Sequence, residues 1–301
     1  IPFLILPDSL FVNGPSVIDF DAETLVQNHP GWLKDYKTYA QGASRSGAEV
    51  VDLVATNYSI SPKVLLAVME YMTGALSQPV APTGPYPLGI TDYHYPGLYM
   101  QLIWVSNILN NGYYGWRTGL LYEFELADGR VEQPDPWQTA ASVSFQYLGS
   151  ILYDPEGYGK AIGPEGIALV YHDLFGDPWS VDLPNIPVSL EQPELTLPFS
   201  GEDEWAFTGG PHTGWGTLYP WAALDFAPGT DTSGCVPTTL PTVAMAGGMV
   251  VRSETGVVIL DLDADGDERT GWNLLYLHVA TEGRAKTGAI LQTGDIIGYP
   301  S

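Results

Sequence analysis

The hydrophobic period of this chain changes across a stretch crowded with prolines, and that change constrains the fold more than any other feature. Pro178, Pro184, Pro187, Pro193 and Pro198 punctuate residues 177–198, which carry no helical period. This is linker composition, of the kind that packs against a neighbour. Before it, apolar residues recur at helical spacing. Ser46-Gly-Ala-Glu49 is a capping-box pattern ahead of Val50, Val51, Leu53 and Val54. Ser61-Pro62 opens the run Val64 to Met69, with Pro62 at a first-turn position. Further helical runs are expected at residues 98–109, 137–152 and 165–175, with loops rich in Tyr, Gly and Pro at 78–87 and 112–119. After the prolines the sequence breaks into short β runs ended by glycines, at 205–207, 222–226, 242–246, 249–253, 257–262, 272–278 and 290–291. An α+β fold class follows. It places an N-terminal α-helical domain at 1–176, a Pro-rich linker at 177–196 and an antiparallel β domain at 197–301.

Charge narrows the partners. The 301 residues hold 35 acidic and 11 basic side chains, a net charge of -24, yet only 15% are charged. Against a usual share of roughly 25%, the excess comes from a shortage of Lys and Arg. Nucleic acid and anionic membrane need clustered cations, so both are poor partners for this surface, and no nucleic-acid partner is expected. A content of 45% hydrophobic residues excludes disorder, and no apolar run approaches the roughly 20 residues of a membrane span. The sequence opens on Ile1 with no basic stretch ahead of an apolar one, as expected of a chain whose secretory leader has been removed or trimmed. Cys235 is the single cysteine, and in a secreted protein an odd cysteine implies a missing partner. Secretion, to the extracellular space or the cell surface, is the expected localisation.

Two of the five histidines lie in the β half. His212 sits in Gly209-Gly-Pro-His-Thr-Gly-Trp-Gly216, whose glycines allow close approach of a ligand to the backbone. Asp225 interrupts the apolar run Trp221 to Phe226, and His278 ends the run Leu274 to His278. A carboxylate in an apolar strand is costly unless it is paired or metal-bound. Imidazole and carboxylate are zinc donors, and a catalytic zinc takes three protein donors with one position open for water. Spacing alone leaves two readings open, a hydrogen-bonded His/Asp pair or a metal site.

At these residues a resemblance enters. Leu197-Pro-Phe, Trp205, Gly210-Pro-His212 and Tyr219-Pro-Trp-Ala-Ala-Leu-Asp-Phe226 resemble the first motif of the lysostaphin-type zinc metalloendopeptidases, in their β-lytic/staphylolysin branch. Ala246-Gly-Gly-Met-Val, Leu275-Tyr-Leu-His278 and Gly294-Asp-Ile-Ile-Gly298 continue it in order, over about the last third of the chain. The resemblance implies a β-sheet hydrolase that cuts peptide crosslinks of peptidoglycan or Gly-rich peptide, with His212 and Asp225 as zinc ligands. His278 would be the separate catalytic histidine beside the metal-bound water. One element departs from the pattern. That family's second motif, His-x-His, supplies the third zinc ligand, and no His-x-His occurs here. The expectation is a peptidase-like domain truncated at its C-terminal end, inactive alone and lacking a further segment. The competing class is a non-catalytic extracellular protein that keeps the fold for wall binding or self-assembly, as a homo-oligomer or larger assembly.

Asp261-Leu-Asp263-Ala-Asp265-Gly266-Asp267-Glu268 matches the opening of a D-x-D-x-D-G calcium loop. Trp272 stands where an EF-hand has its bidentate Glu, and the flanks read as strands. The expectation is therefore a calcium-binding β-hairpin loop through Asp261, Asp263, Asp265 and Asp267, or else a solvated acidic turn. In the helical domain, residues 58–70 are faintly similar to the opening of lysozyme-like lytic transglycosylases. Glu70 lies two residues before the expected acid position, which is Met72, so a structural or wall-binding role is expected instead. Tyr93, Tyr95, Tyr99, Tyr113, Tyr114 and Trp116 form a candidate aromatic surface for sugar stacking or a protein interface, or simply pack. His94 and His172 read as satisfied polar residues, and Asn57-Tyr58-Ser59 as a chance glycosylation triplet.

Overall fold

The structure, a computed structural model, describes residues 3–180, 183–184, 186, 189–229 and 238–301. Cys235 and Pro187 lie outside the described residues. The fold is α+β, with helices in the N-terminal part and antiparallel strands in the C-terminal part. The chain divides into two compact units. One is Ile1–Asn185 together with Trp215–Pro220, and the other is Ile186–Gly214 together with Trp221–Ser301.

Among the described residues the helical unit holds α1 (Ala22–Gln27), α2 (Gly47–Tyr58), α3 (Pro62–Thr73), α4 (Gly97–Arg117), α5 (Ala140–Leu152), α6 (Pro155–Ile162) and α7 (Ile167–Phe175). It also holds the short pairs β1 (Lys37–Ala40) with β2 (Ala43–Ser46) and β3 (Phe124–Glu125) with β4 (Val131–Glu132). The capping box forms as its residues predict. Glu49 N–H donates to Ser46 Oγ at 3.1 Å, and Ser46 N–H donates to Glu49 Oε2 at 2.6 Å, a device that stabilises a helix start by about 1 kcal/mol. Pro62 opens α3 at its first turn, and Gly74 closes it at φ 61°.

One expectation for α4 is overturned. The helix runs on to Arg117 through residues read as loop, because its glycines serve as contact points rather than breakers. A Cβ on Gly112 would stand 2.7 Å from Ser144 Cα of α5, and one on Gly115 would stand 2.9 Å from Leu121 Cβ. Tyr113 is buried, not a surface aromatic, and stacks on Phe11 with ring centroids 4.3 Å apart. Tyr93 remains exposed, while Tyr95, Tyr99, Tyr114 and Trp116 are half-buried.

In the strand-rich unit, β5 (Trp205–His212) pairs with β6 (Ala223–Pro228), and β7 (Thr242–Val243) pairs with β12 (Ile296–Gly298). The main antiparallel sheet has the order β10-β9-β8-β11, from β8 (Gly248–Glu254), β9 (Gly256–Asp261), β10 (Asn273–Val279) and β11 (Ile290–Leu291). Val250, Val258, Leu260, Tyr276, Val279, Ala244 and Ile297 form its core. Burial runs through β9 from Val257 to Asp261 without alternation, so this strand is covered on both faces. No helix among the described residues is long and apolar enough to cross a membrane.

Candidate metal centre

The hairpin β5–β6 brings His212 and Asp225 together. The register pairs His212 with Ala223 and Gly209 with Asp225, with bulges on either side of Gly209. Both side chains therefore rise from one face, and His212 Nε2 stands 2.8 Å from Asp225 Oδ2. Gly209 makes the room, since a Cβ there would sit 2.8 Å from the same carboxylate oxygen. Each side chain is about half exposed, at 46% and 50%.

The second ring nitrogen decides what the first can do. His212 Nδ1 lies 2.7 Å from the carbonyl oxygen of Thr213. A carbonyl only accepts, so Nδ1 carries a proton and Nε2 is the atom left to hold either a proton or a metal. In the neutral ring Nε2 would turn a lone pair toward an anionic oxygen, which is repulsive. Two species remove that conflict, an imidazolium donating to both oxygens or a cation held by Nε2 and Oδ2 together. The first is reflected in a His212 pKa raised above its ordinary value by the Thr213 carbonyl and then by Asp225. For the second, two donors on a tetrahedral zinc stand about 3.3 Å apart at bond lengths near 2.0–2.1 Å. An opening of about half an ångström suffices. A carbonyl on the remote nitrogen is also the arrangement that orients metal-binding imidazoles.

The donors fit one edge of a zinc site, but a third is not assembled with them. Among the described residues, the group of three His, Cys, Asp or Glu ligand atoms within 4.8 Å of one another is Asp261, Asp263 and Asp265. His278 is exposed at a bulge in β10 with φ 57°, and its carbonyl accepts from Ser301 N–H at 3.0 Å. The bulge turns its side chain out of the alternation that keeps Leu274 and Tyr276 against the core.

The acidic cluster occupies the turn between β9 and β10. Asp261 is fully buried and accepts from Gly266 N–H at 2.9 Å and Asp263 N–H at 3.3 Å. Asp265 accepts from Thr270 Oγ1 at 2.7 Å. Asp263 is held above the usual carboxylate range by its hydrogen bond to Asp261, then by burial and its acidic neighbours. Asp267 does not join them. It is drawn aside by Arg269, whose Nε and Nη2 approach its oxygens at 2.8 and 2.6 Å, and its pKa falls accordingly.

In the helical unit Glu70 is a structural residue. Its Oε2 accepts from Leu76 N–H at 2.7 Å and Ser77 N–H at 3.2 Å, tying down the turn after α3. His94 pairs with Asp92 at 2.8 Å, and Asn57 of the glycosylation triplet is buried within α2.

The family model for the N-terminal domain of LasA matches residues 4–189. The chain belongs to that family. The LasA match spans α1 to α7, whereas His212, Asp225 and His278 lie beyond it. No curated protein and no solved structure matches this LasA-type chain. The sequence signals missed one feature of the site, the Thr213 carbonyl behind His212.

Proposed function

We propose that this LasA-type chain is a secreted, zinc-dependent endopeptidase of the lysostaphin type, in its β-lytic branch, acting on peptide crosslinks of bacterial cell walls. The observation that carries this reading is the His212–Asp225 edge, with Nδ1 committed to a carbonyl and Nε2 facing a carboxylate. Membership of the LasA family supports it from the other end of the chain. His212 and Asp225 are the proposed zinc donors, and a third imidazole completes the set. Bound zinc supplies a water of near-neutral pKa and polarises a carbonyl. The chain's own contributions are narrower. Thr213 fixes the His212 tautomer, Gly209 admits the Asp225 carboxylate, and the exposed imidazole of His278 is the proposed proton carrier. Calcium at Asp261, Asp263 and Asp265 is proposed as a structural ion.

The competing reading, a wall-binding or self-assembling protein without catalysis, is favoured by one observation: among the described residues two donors, not three, converge at His212. Cleavage of a glycine-rich peptide by zinc-loaded protein separates the two, assayed with and without millimolar imidazole as the missing ligand. The peptidase reading expects cleavage that imidazole enhances and that His212→Ala abolishes. Binding to peptidoglycan without cleavage under both conditions supports the competing reading.

A further inference from the structure

The helical unit includes one stretch of chain far from its own sequence, Trp215–Pro220, the connection between β5 and β6. Four observations describe how this segment is held. Thr217 N–H donates to Asn107 Oδ1 at 2.7 Å, and Tyr219 N–H donates to Asn111 Oδ1 at 3.3 Å. Asn107 and Asn111 stand one turn apart on α4, so their amides present acceptors to the backbone N–H groups of Thr217 and Tyr219. Tyr58 receives the side chains of Trp215 and Asn107 at its hydroxyl, whose pKa burial pushes up to about 12. Trp215 packs on the helical core, and Tyr219 is buried beside Gly115, where a Cβ would lie 3.5 Å from its ring.

Between the two aromatic anchors the segment has no grip through side chains of its own. Gly216 adopts φ 100°, and a Cβ there would meet Asn107 Oδ1 at 2.5 Å and Tyr58 Cε1 at 3.1 Å. Leu218 points to solvent, 56% exposed, and takes φ 68° in a tight turn in which Tyr219 N–H also donates to Thr217 O at 2.9 Å. A leucine at positive φ is a conformation imposed from outside, not one the segment chooses. What is read is the main chain, one glycine and two flanking aromatics. That is the chemistry of peptide recognition, in which main-chain hydrogen bonds hold the ligand and aromatic pockets set its register.

We infer that Tyr58, Asn107 and Asn111 form a peptide-recognition site on the helical unit, and that the chain's own Trp-Gly-Thr-Leu-Tyr-Pro segment, Trp215–Pro220, is the peptide it holds. The site is a clasp on this segment. It does not depend on the metal or on peptidase activity.

The test uses the full chain. A tethered segment outcompetes any free copy through its effective concentration, so the clasp must first be emptied, by Trp215→Ala with Tyr219→Ala. A fluorescent decapeptide of the sequence of residues 213–222 is then titrated by anisotropy. Saturable binding is expected to the emptied chain and not to the unmodified one. Adding Asn107→Leu weakens it by about tenfold, the worth of one good hydrogen bond, whereas Asn107→Asp, which keeps the acceptor for Thr217 but loses the amide donor to the Ile103 carbonyl, weakens it less. Amide exchange at Thr217 in the otherwise unmodified chain reports the same contact, fast in Asn107→Leu and slow in Asn107→Asp. An emptied chain that keeps its helical circular dichroism yet binds no peptide overturns the inference. So does binding that survives Asn107→Leu, or equal binding to the unmodified chain.

Discussion

His212 Nε2 lies 2.8 Å from Asp225 Oδ2 while its Nδ1 faces the Thr213 carbonyl at 2.7 Å, so the metal-free ring is bounded by two acceptors. Its pKa is therefore raised, by the carbonyl first and the carboxylate second. The sign follows from linkage. The contacts stabilise the fold fully below the unfolded value near 6.5, and that contribution is lost as pH rises through the higher folded value. In NMR titrations His212 should titrate above 6.5, and Asp225→Asn should move it down. A His212 that titrates identically in both proteins would show that the carboxylate is not felt.

Gly209 is the room for Asp225. Gly209→Ala places a methyl 2.8 Å from Asp225 Oδ2, so the carboxylate must move. Zinc affinity should fall by about tenfold or more, the loss expected when a ligand is disoriented. The melting temperature should change little, because the pair is half exposed. Isothermal titration with zinc checks the first statement and calorimetry the second.

In the acidic turn, Asp261 serves the backbone as much as any ion. Asp261→Ala leaves two N–H groups without their acceptor and should cost about 1–3 kcal/mol with or without calcium. Asp263→Asn and Asp265→Asn should leave the fold intact and remove the stabilisation by calcium. That stabilisation is expected at about 2–4 °C of melting temperature per kcal/mol of binding free energy. An unmodified chain whose melting is indifferent to millimolar calcium would reduce the cluster to a solvated turn.

Glu70 is predicted to matter for stability and not for chemistry. Glu70→Ala removes the acceptor of two backbone amides and should cost about 1–3 kcal/mol. Glu70→Gln keeps an acceptor oxygen and should restore most of it. Muropeptide analysis of digested cell walls should show no glycan cleavage in the unmodified protein that Glu70→Gln abolishes.

Periodicity made the architecture legible where local chemistry and tertiary packing agree. The capping box at Ser46, the Pro62 start of α3 and the strands β8 to β11 all follow from residues adjacent in sequence. It misled at Gly112 and Gly115, because a glycine that breaks an isolated helix also lets a neighbour approach, and only the partners Ser144 and Leu121 reveal which. Of the two readings open for Tyr113, packing holds, and its cover comes from Phe11, about a hundred residues away. At the site, the pairing of His212 with Asp225 was readable from motif order. The Thr213 carbonyl was not, because a backbone oxygen leaves no trace in sequence. The clasp left a weak trace: Asn107 and Asn111, two amides four residues apart in an apolar helix.

The central claim is that His212 and Asp225 form one edge of a catalytic zinc site, and cobalt(II) substitution tests it most directly. Cobalt(II) absorbs only weakly, pale pink, in octahedral sites and strongly when tetrahedral. Titrated into the protein in the presence of imidazole, it should develop the tetrahedral visible band at one ion per chain. Zinc should displace it, and His212→Ala and Asp225→Ala should each abolish it. The absence of that band with imidazole present, or a band unchanged in Asp225→Ala, would contradict the account.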